Sequence, residues 1–467
     1  MDFGFIIMKI LNDYKKKKMK NKRGSGKYII TLYITIVTAV SFLLAGCGLL
    51  MDEPASGVDV SNEVISEMKQ NSDNALKAEG TEMPQSEHPS GEKEIAEEGH
   101  EDIEELEATT EAFKETVEHV EILAVGDNLI HTGLYQTGMH ESGVWNYDHL
   151  YANVEHKIEA ADIAIINQET IFIEDRNKIS AYPVFGSPTE IADSVARAGF
   201  DVVLHASNHT MDKGREGVWD TLNFWKNNYP EVTVLGIHES EEDQDTISVV
   251  ECKGITFAML NYTYGLNGFS VPADEPYLVD LLDKERVEAD IAKAKEAADM
   301  VMVFCHVGDE YVYEPSEYAK QWVDFLLEQE VDIVINAHPH VLEPYTMLTG
   351  ENGHQMLVYY SVGNFISTQD QIPRLLGGMA EITIEVRNHA DGIDYQIIDY
   401  GMEPVVAHWN YGTMEFGVYM LENYTNELAA KHGILKKVDE PFSVEILWQM
   451  YEEFLSTPIS PAKGKLQ

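Results

Sequence analysis

An α/β fold is predicted for the folded part of this chain, from about residue 120 onward, and three observations predict it. Short runs of β-forming residues alternate with amphipathic helical stretches. Runs such as residues 122–125, 163–166 and 333–335 are continuously apolar, as in strands covered on both faces. Polar residues collect where these runs end, and in α/β sheets the crevice beyond the carboxyl ends of strands is where ligands bind.

The first 119 residues belong to no such pattern. Residues 1–47 hold a basic block (Lys15 to Lys18, Lys20, Lys22, Arg23 and Lys27), the uncharged run 28–44, and then Leu44-Ala45-Gly46-Cys47, the layout of a secretory signal. Leu-Ala-Gly-Cys resembles the lipobox of bacterial lipoproteins, which implies lipidation of Cys47 and cleavage before it. The alternative is an uncleaved anchor helix, since residues 28–51 are free of charge. Either way the basic block places the remainder outside the cytoplasm, at the cell membrane. Residues 48–119 form an acidic segment, with 21 acidic against four basic side chains over 52–118 and Phe113 as its one aromatic. Such a segment buries too little apolar surface to offset chain entropy, and self-repulsion extends it, so a disordered stalk is predicted.

Strands are predicted at residues 120–125, 161–167, 201–205, 232–236, 255–261, 300–306, 331–337 and 356–362, with helices at 189–198, 214–227, 283–298 and 316–329. In the last helix Tyr318, Trp322, Phe325 and Leu326 share one stripe. Ala380, Ile382, Ile384 and Val386 repeat with period two, and together with the run 393–400 they predict antiparallel strands closing the domain near residue 404. Residues 405–467, helical from Met414, read as an extension. There is no internal repeat, P-loop or dinucleotide fingerprint. Composition allows a real core, with 44% hydrophobic and 10% aromatic residues. A net charge of −47 argues against nucleic acid as a partner, because phosphate backbones repel such a surface. Three cysteines, Cys47, Cys252 and Cys305, cannot build a disulfide framework.

Five predicted strands finish in Asp, Glu, Asn and His. The first ends in Gly126-Asp127-Asn128, with His131 just beyond. The others end in Asn167-Gln168-Glu169-Thr170, Ser207-Asn208-His209-Thr210-Met211-Asp212, Cys305-His306-Val307-Gly308-Asp309-Glu310 and Ala337-His338-Pro339-His340. Oxygen and imidazole donors without thiolates suit Mn, Fe, Zn or a mixed divalent pair rather than a structural zinc cage. Alternation turns Cys305 away from His306, as buried filler. Lys213, Arg215 and Arg374 are the basic residues near these motifs and the candidates for substrate contact.

Taken in order, and with Tyr360-Ser361-Val362-Gly363-Asn364-Phe365 after them, these motifs resemble the CapA-like capsule synthesis proteins over about residues 120–404. That family is associated with poly-γ-glutamate capsules and lies in the calcineurin-like metallophosphoesterase superfamily. The resemblance implies a two-sheet sandwich flanked by helices, with two divalent metal ions at one edge. Position by position, it implies Asp127 and His340 on the first metal, Glu169 bridging, Asn208 as a metal ligand, His306 and His338 on the second metal, and His209 facing the scissile phosphate as general acid. Asn128, His131, Asp212 and Glu310 are further candidates. Two departures stand out: the superfamily's Asp-x-His is here Asp127 with His131, displaced by two positions, and Glu169 replaces an aspartate. The implied partners are a capsule polymer or phosphoester substrate, the membrane through the lipid anchor, and subunits of a membrane synthase. The alternatives are a metal- and polymer-binding subunit of the synthase complex without turnover and a surface phosphoesterase acting on another substrate.

Overall fold

The computed structural model of the protein describes residues 115–139 and 142–466. The predicted signal, Cys47 and the acidic segment up to residue 114 lie outside the described residues. Among the described residues, strands β1 (Thr116–Asn128), β2 (Ile163–Asn167), β3 (Phe172–Ile173), β4 (Ser187–Pro188), β5 (Val202–Leu204), β6 (Thr233–Leu235), β7 (Ser248–Cys252) and β8 (Ile255–Thr263) come first in the chain. They are followed by β9 (Met300–His306), β10 (Ile333–Ala337), β11 (Tyr345–Thr349), β12 (Gln355–Tyr359), β13 (Asn364–Ile366), β14 (Leu376–His389), β15 (Gly392–Asn410) and β16 (Glu415–Met420). One sheet runs β16-β15-β14-β1-β2-β5-β6, with β13 paired to the end of β1; the other runs β11-β12-β10-β9-β8-β7, and β3 pairs with β4 apart from both.

Side-chain alternation shows how the sheets stack. Phe257, Met259, Met300, Met302, Phe304, Ile333, Ile335, Leu357 and Tyr359 share one apolar core with Ile122, Ile165, Val202, Ile382 and Ile384 of the first sheet. Residues of the opposite parity, Ala258, Leu260, Val301, Val303, Cys305, Val334 and Val358, pack instead with two helices, α3 (Lys284–Ala297) and α4 (Glu317–Glu328). The outer face of the first sheet is covered by α1 (Glu190–Arg197) and α2 (Gly214–Asn228), whose Ile191, Val195, Phe224 and Trp225 enter its core. This is the two-sheet, helix-flanked α/β arrangement expected. Ser316 caps α4 by accepting a hydrogen bond from the Ala319 amide, 3.1 Å. Ala319, Trp322, Val323, Phe325 and Leu326 are its buried stripe. Tyr318, expected in that stripe, is 43% exposed and meets Trp322 edge-on.

Two boundaries differ from expectation. Strand β1 starts at Thr116, because residues 116–119 pair with Asn388 to Glu385 of β14 although their own side chains are exposed. The segment after Met414, expected to be helical, opens as β16: Phe416, Val418 and Met420 recur with period two on the buried face, and β16 pairs with the end of β15. Helix follows after it, first as the short Asn426–Ala429 and then as Val444–Leu455. No helix among the described residues is long and apolar enough to cross a membrane.

Candidate metal centre

Strands β1, β2 and β5 are mutually parallel, and so are β8, β9 and β10, so their polar carboxyl ends meet at one edge of the sandwich. Gly126 makes the first junction. A Cβ there would lie 1.9 Å from the Gly363 carbonyl, so only glycine lets β13 approach closely enough for the Asp127 amide to donate to that carbonyl at 3.0 Å. Asp127 is thereby set opposite Asn364. Gly308, with φ +141, does the same on the other sheet, where a Cβ would meet Pro339 at 2.7 Å. The His338-Pro339-His340 turn itself is strained: both histidines have positive φ, 103° and 58°.

Seven of the predicted residues gather there, all at most 7% exposed: Asp127, Glu169, Asn208, His209, His306, His338 and His340. Glu169 is at the middle. Its Oε1 lies 3.8 Å from His306 Nε2, 3.7 Å from His340 Nε2 and 3.9 Å from His209 Nε2. His306 Nε2 also faces Asn208 Oδ1 at 3.0 Å and His338 Nδ1 at 3.2 Å. On the other flank His340 Nδ1 sits 2.9 Å from Asp127 Oδ2 and 3.1 Å from Asn364 Oδ1, which leaves Nε2 as the nitrogen facing Glu169. The ligand atoms of Asp127, Glu169 and His340 lie within 4.8 Å of one another, and those of Glu310, His338 and His340 do likewise.

Burial and mutual proximity set the charge of these groups. Both Glu169 oxygens are buried and accept no hydrogen bond, an arrangement costly for a carboxyl group unless a cation meets it. Burial, with Asp127 and Glu310 beside it, pushes the Glu169 carboxyl well above its ordinary range. Burial and neighbouring histidines hold His338 down at about 3 and His306 well below its usual value. Burial also opposes charge on His340, but the carboxylates of Glu169 and Asp127 outweigh it and raise that imidazole to about 9. Two imidazoles that burial holds neutral, His306 and His338, together with carboxylates whose buried oxygens are unsatisfied, fit divalent cations.

The remaining predicted residues stand elsewhere. Asn128 donates to Gln168 Oε1 at 2.6 Å and accepts from the Tyr151 hydroxyl, so its amide is engaged away from Glu169. His131 Nδ1 lies 3.2 Å from the Leu129 carbonyl and 3.3 Å from the Thr368 amide, and its tautomer decides which of the two it bonds, with the ring edge-on to Phe185; burial, then His340, lowers it to about 4. Asp212 lies beside His209, its Oδ2 2.7 Å from Nδ1, and accepts from the Phe185 amide at 2.6 Å. Arg215 is neutralised by Asp274 and Glu275, and Lys213 donates to the Ser180 hydroxyl. Two organising residues were not singled out from the sequence. Asn167 donates to Asp127 Oδ1 at 2.7 Å and faces His306 Nδ1 at 3.3 Å, and Asn364 holds His340; both stood inside the motifs, which was the available signal.

Residues 121–369, more than half of the chain, match the family described as bacterial capsule synthesis protein PGA_cap. The chain belongs to this family. Among curated proteins this PGA_cap member is 31% identical over 227 residues to the PGA biosynthesis protein CapA of Bacillus subtilis (strain 168), covering 48% of this chain and 57% of that protein. It is 26% identical over 230 residues to the capsule biosynthesis protein CapA of Bacillus anthracis, covering 48% and 54%. The chain thus spans about half the length of the curated relatives it matches. Among solved structures it is similar to a putative 5'-nucleotidase from Staphylococcus aureus (TM-score 0.38, 17% identity, 61% of this chain and 54% of that one). It is also similar to the NAD nucleotidase of Haemophilus influenzae (TM-score 0.36, 12% identity, 72% and 67%). Likenesses this distant do not bear on activity.

Proposed function

We propose that this PGA_cap protein is anchored to the outer face of the cell membrane through Cys47 and carries a metallophosphoesterase-type centre holding two divalent metal ions. The centre would hydrolyse or transfer a phosphoryl or related bond during capsule polymer synthesis or export. The observation that carries the reading is the Glu169 carboxylate, buried without a hydrogen bond and ringed by His209, His306 and His340 at 3.7–3.9 Å. Asp127, Glu169 and His340 would hold one ion, and Asn208, His306, His338 and the shared Glu169 the other. Bound metal would polarise a phosphoryl oxygen and provide the attacking hydroxide.

The chain's own residues supply the proton. Asp212 fixes the His209 ring through Nδ1, which turns Nε2 toward Glu169 and the centre. From there a proton can pass to the leaving oxygen. Asn167 and Asn364 hold Asp127 and His340 in place, so that ligand geometry is set before substrate arrives.

Two experiments test this reading. The detergent-solubilised full chain, loaded in turn with Mn, Fe or Zn, is assayed on phosphomonoesters and phosphodiesters; turnover is expected, and its absence with every metal would favour the accessory, polymer-binding reading. For the anchor, Cys47→Ala should abolish lipid labelling and leave a heavier precursor. A wild-type chain that keeps Lys15 to Lys27 and takes no lipid label would instead make residues 28–44 a transmembrane anchor.

A further inference from the structure

In so acidic a chain almost every guanidinium is neutralised where it stands. Of the six arginines among the described residues, Arg176, Arg197, Arg215, Arg286 and Arg387 each pair with a carboxylate. Arg374 pairs with none among the described residues, and it lies beside the metal centre. Its Cζ sits 3.4 Å above the Tyr311 ring centroid. The Tyr311 ring in turn stacks on the His340 imidazole, 5.9 Å between centroids and 27° between planes. Three planar groups therefore form one stack leading outward from a candidate metal ligand.

The stack is built into the ligand turn. The Tyr311 amide donates to the Pro339 carbonyl at 2.8 Å, and φ +66° at Tyr311 turns the chain to allow it. Asn364 Nδ2 donates to the Arg374 carbonyl at 2.9 Å while its Oδ1 holds His340 Nδ1 at 3.1 Å. One asparagine thus fixes both the imidazole and the arginine. Tyr311 is 36% exposed, so the stack reaches solvent. A guanidinium flat on an aromatic ring keeps its edge donors free, and that edge matches a planar or tetrahedral oxyanion bidentately.

We propose that Arg374, on its Tyr311 platform, is an oxyanion-binding subsite adjoining the metal centre. It takes a carboxylate or phosphate of the substrate next to the bond that reacts. The guanidinium contacts the Tyr311 ring, which itself stacks on His340, so it is placed for an anionic group neighbouring the reacting phosphoryl. In a surface of this charge, one unpaired guanidinium at the mouth gives an anion a local attractive site where the general field repels it. The subsite deepens the proposed phosphoesterase reading and rests on it for the substrate's second group.

The test uses the metal-loaded full chain and two esters that differ in one anion, phenyl phosphate and 4-carboxyphenyl phosphate, with a bisphosphate as the phosphate counterpart. Arg374→Gln should lower kcat/KM for the doubly anionic esters about 10- to 100-fold more than for phenyl phosphate. Arg374→Lys should restore only part of this, because an ammonium cannot pair bidentately. Metal content and melting temperature of each variant are checked against wild type. Larger loss with the carboxylate or with the bisphosphate identifies the anion. Equal loss on all three esters would overturn the proposal. If no ester is turned over, the phosphoesterase reading fails separately, and calorimetric binding of glutarate and inorganic phosphate decides the subsite: weaker binding by Arg374→Gln supports it, and equal binding overturns it.

Discussion

Nδ1 of His209 lies 2.7 Å from Oδ2 of Asp212, and the same ring turns Nε2 toward Glu169. An aspartate three residues on, in the turn before α2, thus sets which nitrogen of His209 faces the site. Asp212→Asn keeps the shape but no longer holds the ring by charge. It should cut kcat by about 10–100-fold on alkyl phosphates, whose leaving oxygen needs a proton, and far less on p-nitrophenyl phosphate, with metal content unchanged. Equal losses on both esters would remove Asp212 and His209 from proton transfer.

His238 Nε2 lies 2.6 Å from Asp280, and its Nδ1 3.7 Å from Asp243. Burial alone would lower this imidazole, but the two carboxylates win and raise it to about 9. Because the folded-state value exceeds the unfolded one, the stabilisation is complete below about pH 6.5 and disappears as pH rises through about 9. His238→Gln should therefore cost about 1–3 kcal/mol in urea unfolding at pH 6 and almost nothing at pH 10. A cost independent of pH would mean that packing, not charge, is what the ring contributes.

Glu343 is raised as well, but by burial of a carboxyl group rather than by partners. Its carboxyl is fully buried with both oxygens unpartnered, and burial first, then Asp309, pushes it well above the ordinary range against the weaker pull of Lys320. A folded-state value above the unfolded one means that stability falls as pH rises past about 4.5. Glu343→Gln removes that ionisation, so it should raise stability at pH 7 by about 1–2 kcal/mol and change little at pH 4. Denaturant melts at the two pH values check this; destabilisation at pH 7 would show that the carboxylate has a cation partner.

The strands that carry the centre were legible because each is a short, continuously apolar run ending in polar residues, so local composition alone marks where β1, β2, β5, β9 and β10 stop. What the sequence concealed depends on partners far along the chain. Thr116 to His119 have the composition of the acidic segment before them and become strand only because β14 pairs with them. In β16 the period-two signal of Phe416, Val418 and Met420 is present but spans only six residues, too short to stand out from the helical segments that follow. Asp212 and Asn364 carry no sign in their own neighbourhoods of which imidazole they hold. His131, two residues beyond the familiar spacing, is drawn to Leu129 and Thr368 instead.

Metal stoichiometry tests the central claim most directly. The full chain, purified without chelator and analysed by mass spectrometry of its elements, should carry about two divalent ions per chain. His338→Ala should carry about one fewer and melt at a lower temperature in the presence of metal, because bound ions stabilise the native state by mass action. A wild-type chain that neither retains nor takes up divalent metal, or a His338→Ala variant with undiminished content, would contradict it.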